Sequence, residues 1–98
     1  MTLVQNDTGI VLNFNVVDEN NLNVDLTNAT VSLIWANDAG TSIKACAISD
    51  AVNGICRYTI VAGDLTIVGK YDCELEVNFG ATKLTTNKFS FKVRPELG

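Results

Sequence analysis

The stretch from Thr8 to Leu33, TGIVLNFNVVDENNLNVDLTNATVSL, decides the fold class of this chain. Apolar residues occupy alternate positions from Ile10 to Val16, and the alternation resumes after an Asp- and Asn-rich turn, with a change of parity at Asn28. Alternate residues of a strand point to opposite faces, so such a segment sets one face against a core and the other against water or a partner. The stretch therefore predicts two β-strands joined by a turn, and an all-β fold.

Short alternating segments separated by turn residues continue along the chain. Turn signals about every 8–12 residues are typical of a sandwich or a barrel, and no segment keeps the 3.6-residue period of a long helix. The segment Ala62–Thr66 is expected to form a crossing loop or a short helical turn. The predicted strands are Gly9–Val17, Thr30–Ala36, Ser42–Ile48, Ile55–Ile60, Lys70–Phe79 and Asn87–Arg94.

The segments Lys70–Phe79 and Asn87–Arg94 form the clearest predicted hairpin. The residues of both strands that are expected to point inward are mostly aromatic or aliphatic. A shift of the strand register by one residue would expose all of them. Leu84 has the wrong parity for this arrangement, which predicts a bulge or a wide loop between Gly80 and Asn87. The outward parity carries acidic residues on the first strand and basic residues on the second, which are expected to pair across the hairpin. These residues are Asp72, Glu74 and Glu76, and Lys88, Lys92 and Arg94.

Length and composition indicate one soluble domain. A chain of 98 residues with 47% hydrophobic and 18% charged residues is able to bury a core and is not expected to be disordered. The net charge is −4 and no run of Lys or Arg is present, which argues against a nucleic-acid partner. No apolar run approaches the roughly 20 residues of a membrane span. The segment Met1–Asp7 lacks the features of a signal peptide, so synthesis in the cytoplasm is expected.

The carboxylates do not assemble into a recognisable catalytic or metal site. The sequence contains no His, which excludes the commonest acid–base arrangements. Glu74 and Glu76 share a strand face but alternate with core positions, unlike the paired carboxylates of a glycosidase cleft. Asp18, Glu19 and Asp25 surround one turn and suggest Ca²⁺ as an alternative, although Asp in turns is favoured for local hydrogen bonds. We therefore expect no enzyme activity, no cofactor and no metal.

Two side-chain sets leave alternatives open. Trp35 and Tyr58 are the candidates for a sugar-stacking platform, but Trp35 shares its parity with apolar neighbours, which favours a place in the core. Cys46 and Cys56 flank a predicted hairpin turn and are placed so that they could lie opposite each other. Cross-strand cysteines in a reducing cytoplasm are usually free thiols, and the odd count and the absence of a CxxC motif give zinc no support.

Five apolar residues fall on the presumed outward parity of the strands. Single exposed apolar residues are normal, but five on one small sandwich indicate contact with a neighbouring chain or domain. The alternative is a second sheet that covers part of the same face. The candidate interface residues are Val11, Val17, Ile34, Ile48 and Leu84.

Several segments together resemble a known family. The pattern D-L-T-x-A-T-V begins at Asp25, G-x-Y begins at Gly69, and F-x-F-x-V begins at Phe89. Thr8–Phe14 and Asn53–Tyr58 also match, so the likeness spans nearly the whole chain in the right order. In this order, the segments resemble the N-terminal domain of phage baseplate upper proteins from siphophages of Gram-positive bacteria.

The resemblance implies an immunoglobulin-like antiparallel β-sandwich of about seven strands, with no catalytic residues to carry over. It implies a virion protein that docks a receptor-binding arm onto the distal tail hub protein, often within a trimer. Residues 1–98 are then expected to be one domain, the N-terminal module of a longer chain. The alternative function is a carbohydrate-binding or adhesion module, which an exposed Trp35 would favour.

Overall fold

Two β-sheets face each other in the structure, a computed structural model that describes residues 2–97. The large sheet has five strands in the order β1-β8-β7-β3-β4, and the small sheet has three in the order β2-β6-β5. The predicted all-β sandwich is confirmed, with eight strands in place of about seven. No helix among the described residues is long and apolar enough to cross a membrane. The strands are β1 (Thr2–Val4), β2 (Val11–Asn15), β3 (Thr30–Asn37), β4 (Gly40–Ala45), β5 (Ala47–Asp50), β6 (Ile55–Thr59), β7 (Gly69–Asn78) and β8 (Lys83–Arg94).

An aromatic cluster centred on Trp35 fills the space between the sheets. The Trp35 side chain is 1% exposed. It meets Tyr58 of the small sheet at a ring-centroid distance of 6.0 Å, and Tyr71 and Phe91 of the large sheet at 5.5 and 6.0 Å, in edge-to-face geometry. Such pairs add about 0.5–1.5 kcal/mol each beyond the burial of apolar area. The inward parity predicted for β3, β7 and the end of β8 is therefore confirmed.

The chain changes sheets at Cys46, where a single strand was predicted over Ser42–Ile48. The Cys46 N–H donates to the Val31 carbonyl of the large sheet at 2.9 Å, and the next residue, Ala47, already pairs with Arg57 of the small sheet. The alternation of side chains continues through this corner. For that reason the sequence pattern could not distinguish one strand from two.

A β-bulge in β8 reverses the parity of its first half. Cys73 lies opposite Phe89, but Leu75 lies opposite Thr86, so β8 has one extra residue at Asn87–Lys88. Asn87 has a φ of 53°, a left-handed conformation that Asn tolerates better than most residues. A bulge was predicted from Leu84 between Gly80 and Asn87, and the structure places it at the end of that interval.

The predicted charge pairing across the β7–β8 hairpin is wrong in its basic partners, since Lys83 and not Lys88, Lys92 or Arg94 pairs with an acidic residue of β7. Lys92 lies opposite Lys70, and Asp72 lies opposite Ser90. The ion pairs found here in residues 2–97 are Lys70–Asp72, along β7, and Lys83–Glu76, both at 3.4 Å. Lys88, Lys92 and Arg94 take no part within residues 2–97. Lys92 lies opposite Lys70 in the regular part of the hairpin, and the bulge displaces Lys88 from a place opposite Glu74. Exposed pairs of this kind contribute about 1 kcal/mol or less.

The first strand was not predicted, and it makes the large sheet mixed where an antiparallel one was expected. β1 pairs in parallel with β8, with Leu3 beside Val93. Leu3 is 8% exposed and joins the core. The segment after β6, including Ala62–Thr66, is a loop of turns and not helical. It holds the start of the chain, since the Asn6 N–H donates to the Leu65 carbonyl at 3.0 Å.

Candidate interaction surfaces

The predicted interface residues Ile34 and Val11 lie on opposite outer faces of the sandwich. Ile34 is half-buried on the outer face of the large sheet, directly opposite Ile43, which is 71% exposed. Val11 is 44% exposed in β2, an edge strand of the small sheet. The two residues cannot contact the same flat partner surface, so they belong to two separate candidate surfaces.

Two of the five residues pack inward, and their outward assignment is wrong. Leu84 lies opposite the buried Val77, and Ile48 lies opposite the buried Cys56, so both share a face with the core. The bulge explains Leu84. Ile48 was assigned to the outer face because it shares its parity with the charged Lys44. In the structure Lys44 occupies an inward position of the preceding strand, and Ile48 therefore also points inward.

Val17 is half-buried and, with the edge of Leu84, lines a groove at one end of the sandwich. The five residues therefore do not form one surface. Their role as contacts to a partner stays a prediction.

The outer face of the large sheet combines an apolar patch with acidic side chains. A shallow depression of about 410 Å³ is lined by Ile34, Ala36 and Thr41 on one side and by charged side chains on the other, namely Asp72, Glu74 and Lys88. Ile43 extends the apolar part, although the sequence reasoning missed it because its parity was taken as inward. Apolar side chains rimmed by polar ones are characteristic of protein–protein contact sites.

A second groove lies between the two sheets, where β2 faces β8. The rings of Phe14 and Phe89 form its floor, with centroids 5.4 Å apart. The groove has a volume of about 420 Å³, and Asn13, Asn87 and Lys88 line its rim. No sequence pattern marked this groove, because it depends on which strand of one sheet covers which strand of the other.

A buried charge cluster links the two sheets on the opposite side. Asp64 is 7% exposed, and its carboxylate accepts hydrogen bonds from the Tyr58 hydroxyl at 2.5 Å and the Val61 N–H at 2.9 Å. The Lys44 ammonium pairs with it at 3.1 Å and lies 5.2 Å from the centroid of the Trp35 ring. A buried carboxylate needs such partners to offset its desolvation. The cluster was missed because its members are far apart in sequence.

The protonation states of this cluster follow from its contacts. Burial by itself would raise the pKa of Asp64, but the hydrogen bonds from Tyr58, Val61 and Lys44 outweigh it and lower that pKa. Burial, followed by the bond to Asp64, raises the pKa of Tyr58. The carboxylate is therefore ionised and the phenol protonated at neutral pH. All of the polar groups named here bind one another. We call this cluster of Lys44, Tyr58 and Asp64 the clasp, because it links the two sheets.

The three cysteines are free thiols in the structure. Cys46 and Cys56 are neighbours, as their positions around the turn suggested, and the contact with Cys56 together with burial raises the pKa of Cys46. Burial, and then the charge of Asp72, raise the pKa of Cys73 to about 12. These shifts keep Cys46 and Cys73 protonated and poorly nucleophilic at neutral pH.

The carboxylates near the first turn are used as local caps. Asp18 Oδ1 accepts the N–H groups of Asn20 and Leu22 at 2.9 and 3.0 Å. Asp25 Oδ1 accepts the N–H and the hydroxyl of Thr27 at 2.9 and 2.6 Å, and these bonds lower the pKa of Asp25. Across residues 2–97, no three His, Cys, Asp or Glu side chains are grouped closely enough to hold a metal ion.

The structure is that of a small β-sandwich of two sheets whose outer faces carry apolar and charged side chains. The model of the BppU N-terminal domain family matches residues 2–97, and the chain belongs to this family of baseplate upper protein domains. Its fold is similar to a solved structure, the N-terminal domain of phage TP901-1 ORF48, with a TM-score of 0.73 and 16% sequence identity. That likeness covers 94% of this chain and 81% of the other. No curated protein sequence matches the chain.

The predicted family is therefore confirmed, and with it a structural module of a phage tail baseplate. As a baseplate domain, it associates with other baseplate or tail proteins and is located in the virion tail.

Proposed function

We propose that the domain is a non-catalytic adaptor that docks a receptor-binding arm onto the distal tail hub protein. The observation that carries this proposal is the family match over residues 2–97. The family is one of N-terminal domains, which supports the further proposal that this module begins a longer chain. Synthesis in the host cytoplasm and assembly as a trimer complete the proposal.

The local chemistry supports an adaptor over the alternative of a sugar-binding module. Trp35 is buried between the sheets, and the Tyr58 hydroxyl is bound to Asp64, so these two rings form no exposed platform. Sugar stacking requires an accessible aromatic face. Within residues 2–97 the buried carboxylate is that of Asp64, and it is bound by Tyr58, Val61 and Lys44 between the sheets, which is a structural arrangement.

We infer that the outer face of the large sheet is the surface that meets the hub. Ile34 and Ile43 form its apolar centre. Asp72, Glu74 and Lys88 form a charged border in which the two carboxylates outnumber the one ammonium group. A partner with an apolar patch beside basic side chains would match it, since complementary charge favours encounter and orientation. The net charge of −4 also favours encounter with a basic partner.

Size-exclusion chromatography with light scattering tests the adaptor function. The domain is measured alone and mixed with the distal tail hub protein of the phage or prophage that encodes it. Co-elution at one defined stoichiometry is expected. A domain that elutes separately from the hub protein at micromolar concentrations of both would contradict the proposal.

The Ile34→Ser variant tests the docking face. Truncations that cost about 1 kcal/mol or more are concentrated at the centre of an interface, so binding to the hub is expected to weaken about fivefold or more. Val52→Ser is the control, because Val52 is 68% exposed in a turn away from this face. Equal affinities for the two variants would exclude this face but leave the adaptor function standing.

A further inference from the structure

The edge of β2 that faces away from β6 has unpaired backbone groups. Val16 donates to the Gly54 carbonyl and Ile60 donates to the Ile10 carbonyl, both at 2.8 Å. These bonds and the β2–β6 register show that even-numbered residues carry the hydrogen bonds to β6. The N–H and C=O groups of Val11 and Asn13 therefore point away from the small sheet, toward its open side.

The small sheet ends at β2, whereas the large sheet continues on the same side. Phe14 of β2 covers Phe89 of β8, and β1 continues the large sheet beyond β8. Within residues 2–97 no strand of the small sheet lies beyond β2, so the groove of about 420 Å³ runs along its free edge. Asn87 closes one end, where its Nδ2 donates to the Asn15 carbonyl at 3.2 Å.

Edge strands in soluble proteins are usually protected by Pro, an inward-pointing charge, a bulge or short length. β1 has three residues, and β5 has four and carries a register shift. β2 has five residues in regular register and none of these protective features.

We propose that β2 accepts an added strand: an extended segment of another baseplate protein lies along Val11–Asn13 and fills the groove over Phe89. The segment would have apolar side chains at alternate positions, directed between the sheets, and a carboxylate beside Lys88. Lys88 lines both this groove and the depression that contains Asp72 and Glu74, and it has no ion-pair partner within residues 2–97. Backbone bonds to the edge give such complexes affinity, and the pockets for alternate side chains give specificity.

A second copy of this chain fits the groove less well than a separate segment does. If two β2 edges paired, the side chains available to enter the groove would be Leu12 and Phe14 of the other copy. Leu12 is 6% exposed, and Phe14 already contacts Phe89 of its own β8. Both are committed to their own core, so a self-paired edge would leave the two grooves unfilled.

Hydrogen exchange measured in purified tails tests the proposal. The same amides are compared in the isolated domain and in tails of the phage or prophage that encodes it. The N–H groups of Val11 and Asn13 are expected to exchange at least about tenfold more slowly in tails, because the added strand accepts them. Unchanged exchange at both positions in tails overturns strand addition, while the hub-docking function, tested by co-elution, is unaffected.

The Asn13→Pro variant provides the second test. Proline removes a donor on the free edge and none of the bonds to β6, so the variant is expected to fold but to enter tails at a much reduced level. Val52→Ser is the control, because Val52 is 68% exposed in a turn and lines neither the groove nor the docking face. Equal incorporation of the two variants contradicts the proposal. If either variant fails to fold, the exchange measurement decides alone.

Discussion

Gly54 lies at a point where three backbone segments meet. It is buried with a φ of 72°, and a Cβ built on it would lie 2.6 Å from the Val24 carbonyl oxygen and 2.8 Å from that of Val16. Both oxygens belong to the backbone and cannot move without disturbing the bond from Val24 N–H to Val16 O at 2.9 Å. The turn after β5 therefore tolerates no side chain at this position.

Gly54→Ala is expected to reduce the free energy of unfolding by more than about 2 kcal/mol, since a left-handed conformation costs about 1–2 kcal/mol for a non-glycine residue and the overlap adds to it. Gly80→Ala is the control, because Gly80 has a similar φ of 79° but no atom near the added Cβ. Urea denaturation measures both variants. Equal losses would mean that the close contacts around Gly54 contribute nothing.

The Asp64 carboxylate makes stability depend on pH in the acid range. Its folded-state pKa lies below the ordinary 3.8, so the stability it contributes is fully present above about pH 4 and is lost as the pH falls through the folded-state pKa. Asp64→Asn is expected to cost about 1.5–3 kcal/mol at pH 7, because it leaves Lys44 without its partner.

Urea denaturation from pH 2 to pH 7 checks this prediction. The difference between the wild type and Asp64→Asn should shrink below about pH 4. Asp72→Asn is the control, since its pair with Lys70 is 68% exposed on the Asp72 side and is worth about 1 kcal/mol or less. A difference between wild type and Asp64→Asn that stays constant down to pH 2 would contradict the assignment of the clasp.

The strands show which parts of the fold a pattern in the sequence is able to predict. The inward faces of β3, β7 and the last part of β8 follow from simple alternation, because each strand is buried on one side. The change of sheet at Cys46 could not be predicted, since alternation continues through it. β1 pairs with β8 from the other end of the chain, and three residues are too few to show a period.

The candidate surfaces were predicted less well than the core. Leu84 was placed outside because alternation was counted across the bulge in β8. Ile48 was placed outside because it shares its parity with the charged Lys44. Ile43 was missed because Lys44 occupies an inward position, where its charge is matched by a residue twenty positions away in the chain. An ion pair between residues so far apart in the chain depends on where the loops lie, and the alternation of residues along a strand carries no information about it.

The bulge in β8 is expected to depend on the backbone of Asn87 more than on its side chain. Asn87→Val should be less stable than Asn87→Gly by about 1 kcal/mol or more, because a β-branched residue is poorly compatible with a φ of 53°. Both variants lose the amide bond to Asn15, so their difference isolates the backbone conformation. Thermal denaturation measures it, and equal midpoints would argue that the bulge is not a left-handed one.

The whole molecule depends on a core that joins both sheets through Trp35. The chain has a single Trp, so its fluorescence reports on this core directly. Iodide is expected to quench the native emission weakly and the emission of the urea-unfolded chain strongly, because the native side chain is 1% exposed. Strong quenching in the native state would contradict the packed sandwich and reopen the sugar-platform alternative.

The central claim is that the domain is the part of a baseplate arm that contacts the tail hub. Electron cryomicroscopy of tail tips from the phage or prophage that encodes the chain tests it most directly, because the domain measures 44 × 23 × 22 Å and is large enough to be placed in a map. The expected map shows a two-sheet sandwich in contact with the distal tail hub protein, with the outer face of its large sheet toward the hub. A sandwich located away from the hub, or tail tips that lack this chain, would contradict it.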